Sequence, residues 1–259
     1  DGVIEFLRTP FGGRACGATF LRAIQLALKP LRASTDSYVD DMIVHTHVQG
    51  LQKHLQDIEH FLKRMREVKI TLKLRKCRFA QREVKFCGKI IGSGRKCPDP
   101  EKVAAVQGLK PARTKTEVRS LLGCFSYFRD HIANFAVIAK PLTDLTAKGI
   151  PNAVPWTDVH TAALARLKES LCEATANPLQ IADFTRPFHI TVDACESGVA
   201  GYLSQIGGTG IERPLAFFSF KLSGNQKAWA TVHKEAFAVI SALRKFRDWV
   251  FGVEIHVFS

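Results

Sequence analysis

A chain of mixed α+β and α/β architecture is what this sequence predicts, and three patterns predict it. Apolar residues recur at helical spacing over 51–68 and 158–174. Strand formers flank a polar pair at 37–44, and strand and helix patterns take turns from 187 onward. The 259 residues, 46% of them hydrophobic, hold material for two small domains, or one and part of another. No apolar run comes near the roughly 20 residues of a membrane-spanning helix, so no membrane partner is expected.

In chain order, a glycine-rich stretch, Arg8-Thr9-Pro10-Phe11-Gly12-Gly13-Arg14, runs into a helical pattern that reaches Phe20. Ser37-Tyr38-Val39-Asp40-Asp41-Met42-Ile43-Val44 follows, with strand formers on both sides of two carboxylates. That pattern predicts a tight hairpin with the aspartates at its tip. Two carboxylates on a rigid turn suit Mg²⁺, which takes hard oxygen ligands; an Asp-Asp pair is equally an ordinary turn. Leu51, Leu55, Ile58, Leu62 and Met65 form the stripe of an amphipathic helix. Strands are predicted at 69–74 and 83–91, separated by the basic Arg75-Lys76-Cys77-Arg78 turn. Gly94, Pro98 and Pro100 mark an exit from this region, and Thr114 with Glu117 fits a capping box opening the next helix. Residues 149–155, with two prolines and a glycine, read as a linker. A helix over 158–174 presents Leu164, Leu167 and Leu171 on one face. Strands at 187–193, 199–205 and 215–220 precede a helix over 226–247 and a strand at 253–258. The final helix is expected to bury Val232, Ala236, Val239, Ile240 and Leu243.

Charge narrows the function. The net charge is +13, and residues 61–96 carry 13 Lys and Arg against Glu67 and Glu83. So dense a block points to a polyanion, because neutralising phosphates releases counterions; the competing reading is a solvated helix face. Seven cysteines form no Cys-x-x-Cys pair, which argues against zinc and for small core fillers in a reducing compartment.

The ordered motifs resemble the reverse transcriptases of gypsy-type LTR retrotransposons. The resemblance rests on Pro10-Phe11-Gly12, Ala18-Thr19-Phe20, Tyr38-Val39-Asp40-Asp41, Lys76-Cys77-Arg78-Phe79 and Val84-Lys85-Phe86-Cys87-Gly88. It continues through Leu121-Leu122-Gly123, Tyr127-Phe128-Arg129, Thr191-Val192-Asp193-Ala194 and His233-Lys234-Glu235-Ala236. It implies the second half of a polymerase palm at 1–92, a thumb and connection with linker at 93–155, and the first part of a ribonuclease H-like domain at 156–259. Both end domains would be incomplete. It implies Asp40 as a direct metal ligand and Asp41 as its support, with Asp193 and Glu235 as ligands of a ribonuclease H centre; without the family pattern, Glu235 beside Lys234 reads as a solvated helix glutamate.

Gly12 and Phe20 would border nucleotide and template, Lys76 would contact phosphate, and Phe86, Cys87 and Gly88 would form a primer grip. The implied cofactor is Mg²⁺ or Mn²⁺. The implied partners are RNA template, DNA primer, RNA–DNA hybrid and deoxynucleoside triphosphates, in an intracellular, non-secreted particle. Gly17 stands where the family usually has proline, Cys16 where it has alanine and Cys87 where it has leucine. The family's further metal-ligating carboxylates have no counterpart in these residues. A catalytically silent nucleic-acid-binding remnant is therefore the alternative expectation, and an unrelated basic chromatin or ribosomal factor a third.

Overall fold

A computed structural model describes residues 13–46, 50–208 and 210–259. Residues 8–12 of the glycine-rich stretch lie outside them. Two compact units comprise Asp1–Cys87 and Gly88–Ser259.

In the first unit, α1 (Cys16–Leu28) and α2 (Leu51–Glu67) pack around Ile24, Leu28, Phe61 and Met65. Strands β1 (Thr35–Tyr38) and β2 (Asp41–Val44) pair antiparallel, and Met42 and Val44 lean on the same core. The phase of α2 corrects the expected stripe: Asp57, Phe61 and Met65 are buried, whereas Leu51, Leu55 and Leu62 are exposed. Asp57 explains the rotation. Lys53 Nζ (2.6 Å) and Thr46 Oγ1 (2.8 Å) both donate to its carboxylate, which makes its burial tolerable. Residues 69–74 are not a strand; Lys69 takes a φ of +57°, and Ile70 and Leu72 pack on the core without pairing. A 3₁₀ turn, Leu74–Lys76, carries the basic segment onward to β3 (Glu83–Phe86).

The second unit opens with β4 (Lys89–Gly92) and β5 (Arg95–Pro98). β5 was masked in the sequence by its own turn residues. It pairs antiparallel with β4 on one side and with β6 (Leu179–Gln180) on the other. Five helices share a core containing Val118, Phe125, Ile132, Leu142, Leu167 and Leu171. They are α3 (Pro100–Gln107), α4 (Lys115–Ser126), α5 (Phe135–Ile138), α6 (Lys140–Asp144) and α7 (Asp158–Ala176). As expected, Thr114 caps α4: the Glu117 N–H donates to Thr114 Oγ1 (3.2 Å). Residues 149–155 are pinned rather than free, since Lys115 N–H donates to Asn152 and Val154 N–H to Arg113. The leucines of α7 are buried as predicted, but in this helical core and not in the sheet that follows.

That sheet has the order β10-β7-β8-β9. Strands β7 (Phe188–Ala194), β8 (Gly198–Ile206) and β9 (Glu212–Lys221) are antiparallel neighbours, while β10 (Ile255–Phe258) runs parallel to β7 with Phe258 opposite Thr191. Gly201 in β8 admits no side chain, because a Cβ there would lie 2.2 Å from the Thr191 carbonyl oxygen. The expected helix over 226–247 is three pieces: α8 (Gly224–Lys227), α9 (Thr231–Lys245) and α10 (Arg247–Val250). The first break falls at Ala230, which is extended, and the second at Phe246, which leaves the helical region. The buried face of α9 is Ala238, Ser241 and Ala242, and Val232 and Ile240 are exposed. Small residues let the helix lie close on the sheet, so the bulky aliphatics turn outward or sit at the margins. None of the seven thiols is a buried core filler: Cys16, Cys77, Cys87 and Cys97 are half-buried, and Cys124, Cys172 and Cys195 are exposed.

Helical core and sheet meet at Arg129. Its Nη2 donates to the Ser219 carbonyl (2.7 Å), and its guanidinium lies 5.6 Å from the Phe135 ring and 5.7 Å from that of Phe220. The buried Ser219 hydroxyl accepts the Ala136 N–H (2.8 Å). Lys221 pairs with Asp144, Lys245 pairs with Asp130 (3.0 Å), and Lys96 Nζ stands 4.6 Å over the Trp249 ring. Next to Asp130, the buried His131 has no hydrogen-bond partner on either ring nitrogen among the described residues. Burial, then the charges of Lys89 and Lys96, push its pKa down to about 3.

Two outcomes follow from this joint. Arg129→Ala removes a charged donor from a carbonyl and should cost about 2 kcal/mol in denaturant unfolding. His131 is neutral in the fold but titrates near 6.5 when unfolded, so the unfolded chain binds more protons as pH falls from 6.5 towards 3, and stability drops across that window. His131→Leu should flatten that part of the stability–pH curve, by an amount on the order of a few kcal/mol at its acid end.

Candidate functional site

The predicted hairpin forms, and its turn is two residues, Val39 and Asp40, with Tyr38 paired to Asp41. Val39 has a φ of +54° whereas Asp40 does not have a positive φ, the signature of a II′-type turn, whose first central position favours glycine. A β-branched residue there stores about 1–3 kcal/mol of backbone strain. Such strain persists only where the surroundings enforce it. The hairpin is fixed from below: Thr46, two residues past β2, is the hydroxyl donor to Asp57 of α2, and His45 pairs with Asp36 across the strands (3.2 Å). Asp40 and Asp41 are both exposed at the tip, which leaves their oxygens to solvent or a cation.

Phe20 lies on α1 and is 45% exposed, while Gly12 falls outside the described residues. Lys76 is exposed at the end of its 3₁₀ turn, among exposed Lys73, Arg75, Arg78 and Arg82. Leu74 (73%) and Phe79 (44%) are exposed between these cations. Basic residues interleaved with apolar and aromatic ones suit phosphates and unstacked bases together.

Phe86 closes β3, and Cys87 and Gly88 take φ values of +47° and +65°. Two consecutive left-handed residues make a I′-type turn. Gly88 meets that demand at no steric cost; Cys87 meets it with strain. The Gly88 carbonyl accepts the Asp99 N–H (3.1 Å).

The second carboxylate pair belongs to the sheet. Asp193 is exposed near the end of β7, opposite Ala200 of β8. Glu235 is the fifth residue of α9, near its start rather than its middle, and is half-buried. It precedes Ala238 and Ala242 by three and seven residues, so it shares their sheet-facing side. Ser259 Oγ donates to Glu235 Oε2 (3.1 Å). Since Phe258 pairs with Thr191, this bond places the Glu235 carboxylate at the carboxyl end of β10. From Thr191, β7 runs on in the same direction by about 7 Å to Asp193. Asp193 and Glu235 thus belong to one end of the sheet. The sequence held no sign of Ser259's part; a serine after a strand carries no pattern.

Carboxylate oxygens of this kind match the donors that Mg²⁺ takes. Each site offers a pair, for among the described residues no three His, Cys, Asp or Glu side chains converge on a common point.

Comparison with known proteins now bears on this geometry. A model described as reverse transcriptase (RNA-dependent DNA polymerase) matches residues 1–91, and one described as an RNase H-like domain found in reverse transcriptase matches 156–257. The chain is similar to the retrovirus-related Pol polyprotein from transposon opus of Drosophila melanogaster, at 32% identity over 97% of the chain and 26% of that protein. The counterpart from transposon gypsy of the same organism is 32% identical over 100% of the chain and 25% of its own length. The chain thus spans about a quarter of the length of these relatives. Among solved structures, a foamy viral protease–reverse transcriptase in complex with RNA/DNA hybrid matches with a TM-score of 0.80 at 28% identity, over 96% of this chain and 33% of that one.

The strain at the hairpin tip is measurable. Val39→Gly relieves the left-handed valine and, after glycine's own entropic cost of roughly 0.5–1 kcal/mol, should stabilise the chain by up to about 1 kcal/mol. Urea titration of the two proteins checks it; a destabilised variant would mean that Val39's side-chain contacts outweigh the strain.

Proposed function

The chain belongs to the reverse transcriptase and RNase H-like region of retroelement Pol polyproteins, and from that premise we propose that it holds a primer–template and supplies carboxylates to two metal-dependent centres. The observation that carries the reading is the hairpin: a two-residue turn, strained at Val39, that projects Asp40 and Asp41 into solvent at its tip.

In this reading Asp40 is a direct ligand and Asp41 supports it, while Asp193 and Glu235 serve the second centre. Bound there, Mg²⁺ would stabilise the attacking and leaving oxygens of a phosphoryl displacement, nucleotide addition at one centre and RNA strand hydrolysis at the other. The residues of the chain do the positioning. Tying Thr46 to Asp57 resists displacement of the hairpin, and the Ser259 hydroxyl holds Glu235 towards the strand ends rather than outward. Phe86, Cys87 and Gly88 would carry the primer backbone, with glycine permitting close approach. Lys76 would meet phosphate, and Phe20 would border the template base. RNA template, DNA primer, their hybrid and deoxynucleoside triphosphates are the corresponding partners.

The basic composition of the 61–96 segment supports a second reading, in which binding persists without chemistry, since it uses none of the four carboxylates. Binding is therefore the direct test. Titration of residues 1–259 with RNA–DNA hybrid should give sequence-independent affinity that falls with a log–log salt slope of roughly −5 to −7, as for five to eight neutralised phosphates. Replacing Arg75, Lys76 and Arg78 with alanine should reduce that slope by about 2–3. Asp40→Asn and Asp193→Asn should leave it unchanged. Salt-independent binding, or none, overturns the nucleic-acid reading.

A further inference from the structure

The tripeptide Tyr127-Phe128-Arg129 directly follows α4. Phe128 is buried, and Tyr127 meets it edge-on, with ring centroids 4.9 Å apart at 89°. An edge-to-face pair anchored in a packed core fixes a ring more firmly than a surface position alone would. Tyr127 is nevertheless 52% exposed. The explanation for a rigid, half-bare aromatic lies at Gly88. A Cβ built on that glycine would stand 3.3 Å from Tyr127 Cε1 and 3.5 Å from its hydroxyl oxygen. The ring therefore fills the space that a side chain at residue 88 would take. With the Gly88 carbonyl held by the Asp99 N–H, Gly88 is fixed at its oxygen and backed at its α-carbon.

We propose that Tyr127 is a positioning residue for the primer terminus: its ring backs the Gly88 turn on one side and presents its exposed part to the last base or sugar of the primer. The inference rests on reading residues 86–88 as the primer-holding turn. A backing ring keeps the turn from yielding towards α4 when nucleic acid presses on it. An exposed aromatic face gives a terminal base, which lacks a stacking neighbour on one side, a surface to stack on. Base–aromatic stacking is worth about 1–3 kcal/mol, and an interior base pair, already stacked on both sides, gains nothing comparable. Tyr127 should thus distinguish a recessed primer end from continuous duplex.

The test uses the whole chain with two probes of equal length and salt: a recessed DNA primer on an RNA template, and a blunt hybrid. Tyr127→Ala should weaken binding of the recessed probe about tenfold, within the range for one lost stacking contact, and change the blunt probe less than twofold. Tyr127→Phe should restore the affinity. Tyr127→Leu, which keeps bulk without a stacking face, should behave like alanine and guards against a variant that fails to fold. Equal loss on both probes, or loss on neither, overturns the proposal. Photo-cross-linking from a 5-iodouracil at the primer's 3′ end separates the two levels of inference. Cross-links to Tyr127 and to the 86–88 segment support both. Cross-links to 86–88 that Tyr127→Ala leaves unchanged remove the role of Tyr127 and preserve the turn. Cross-links to neither remove both.

Discussion

The guanidinium of Arg129 is the interaction on which the second unit depends. A cation in a partly buried joint is tolerable only with its charge answered. Here the Ser219 carbonyl accepts from it, and the rings of Phe135 and Phe220 offer their negative faces. Two residues earlier Tyr127 lies against Gly88, and between them Phe128 is sunk in the helical core. Three consecutive side chains therefore tie together a turn at one end of the unit, the helices in its middle and the β-sheet carrying Asp193. Ser219 reinforces the link in its own right, since its hydroxyl takes an N–H from the first turn of α5. The orientation of the sheet's carboxylate end is inherited from α4, not set by a free linker.

Much of this was legible in the residues. The hairpin was readable because strand formers bracket two aspartates, and α7 because Leu164, Leu167 and Leu171 recur at helical spacing with no competing signal. The strands of the sheet were found within a few residues for the same reason. Phase was harder. In α2 the leucines gave a clean stripe, yet Asp57 was taken inward by Lys53 and Thr46, and a buried carboxylate with two donors outweighs the apolar count. In α9 the inward face is made of alanines and a serine, which hydropathy reads as neutral.

The misses at 69–74 and at β5 share another cause. Ile70 and Leu72 alternate like a strand, but no partner strand lies beside them among the described residues. β5 carries Lys96 and Pro98, which look like a loop until β4 and β6 are seen on either side. Strand identity belongs to the pair, and one strand's sequence holds half of it. The candidate site divides similarly. Asp40, Asp41, Asp193 and Glu235 were legible as motif positions, whereas the bond from Ser259, the strain at Val39 and the contact of Tyr127 with Gly88 depend on distance and backbone angle.

The place where Arg129 docks also shapes the edge of the sheet. β9 lies at the margin of its sheet, and a margin offers outward-facing carbonyls and amides to any extended chain that drifts near. By occupying the Ser219 carbonyl, Arg129 removes one of those acceptors from the outer side of the strand, and Lys221 with Asp144 adds a bulky charged pair two residues further along. A strand from another molecule would have to displace the arginine and desolvate the ion pair before it could register. The contact that joins helices to sheet thereby also covers part of the sheet's open edge.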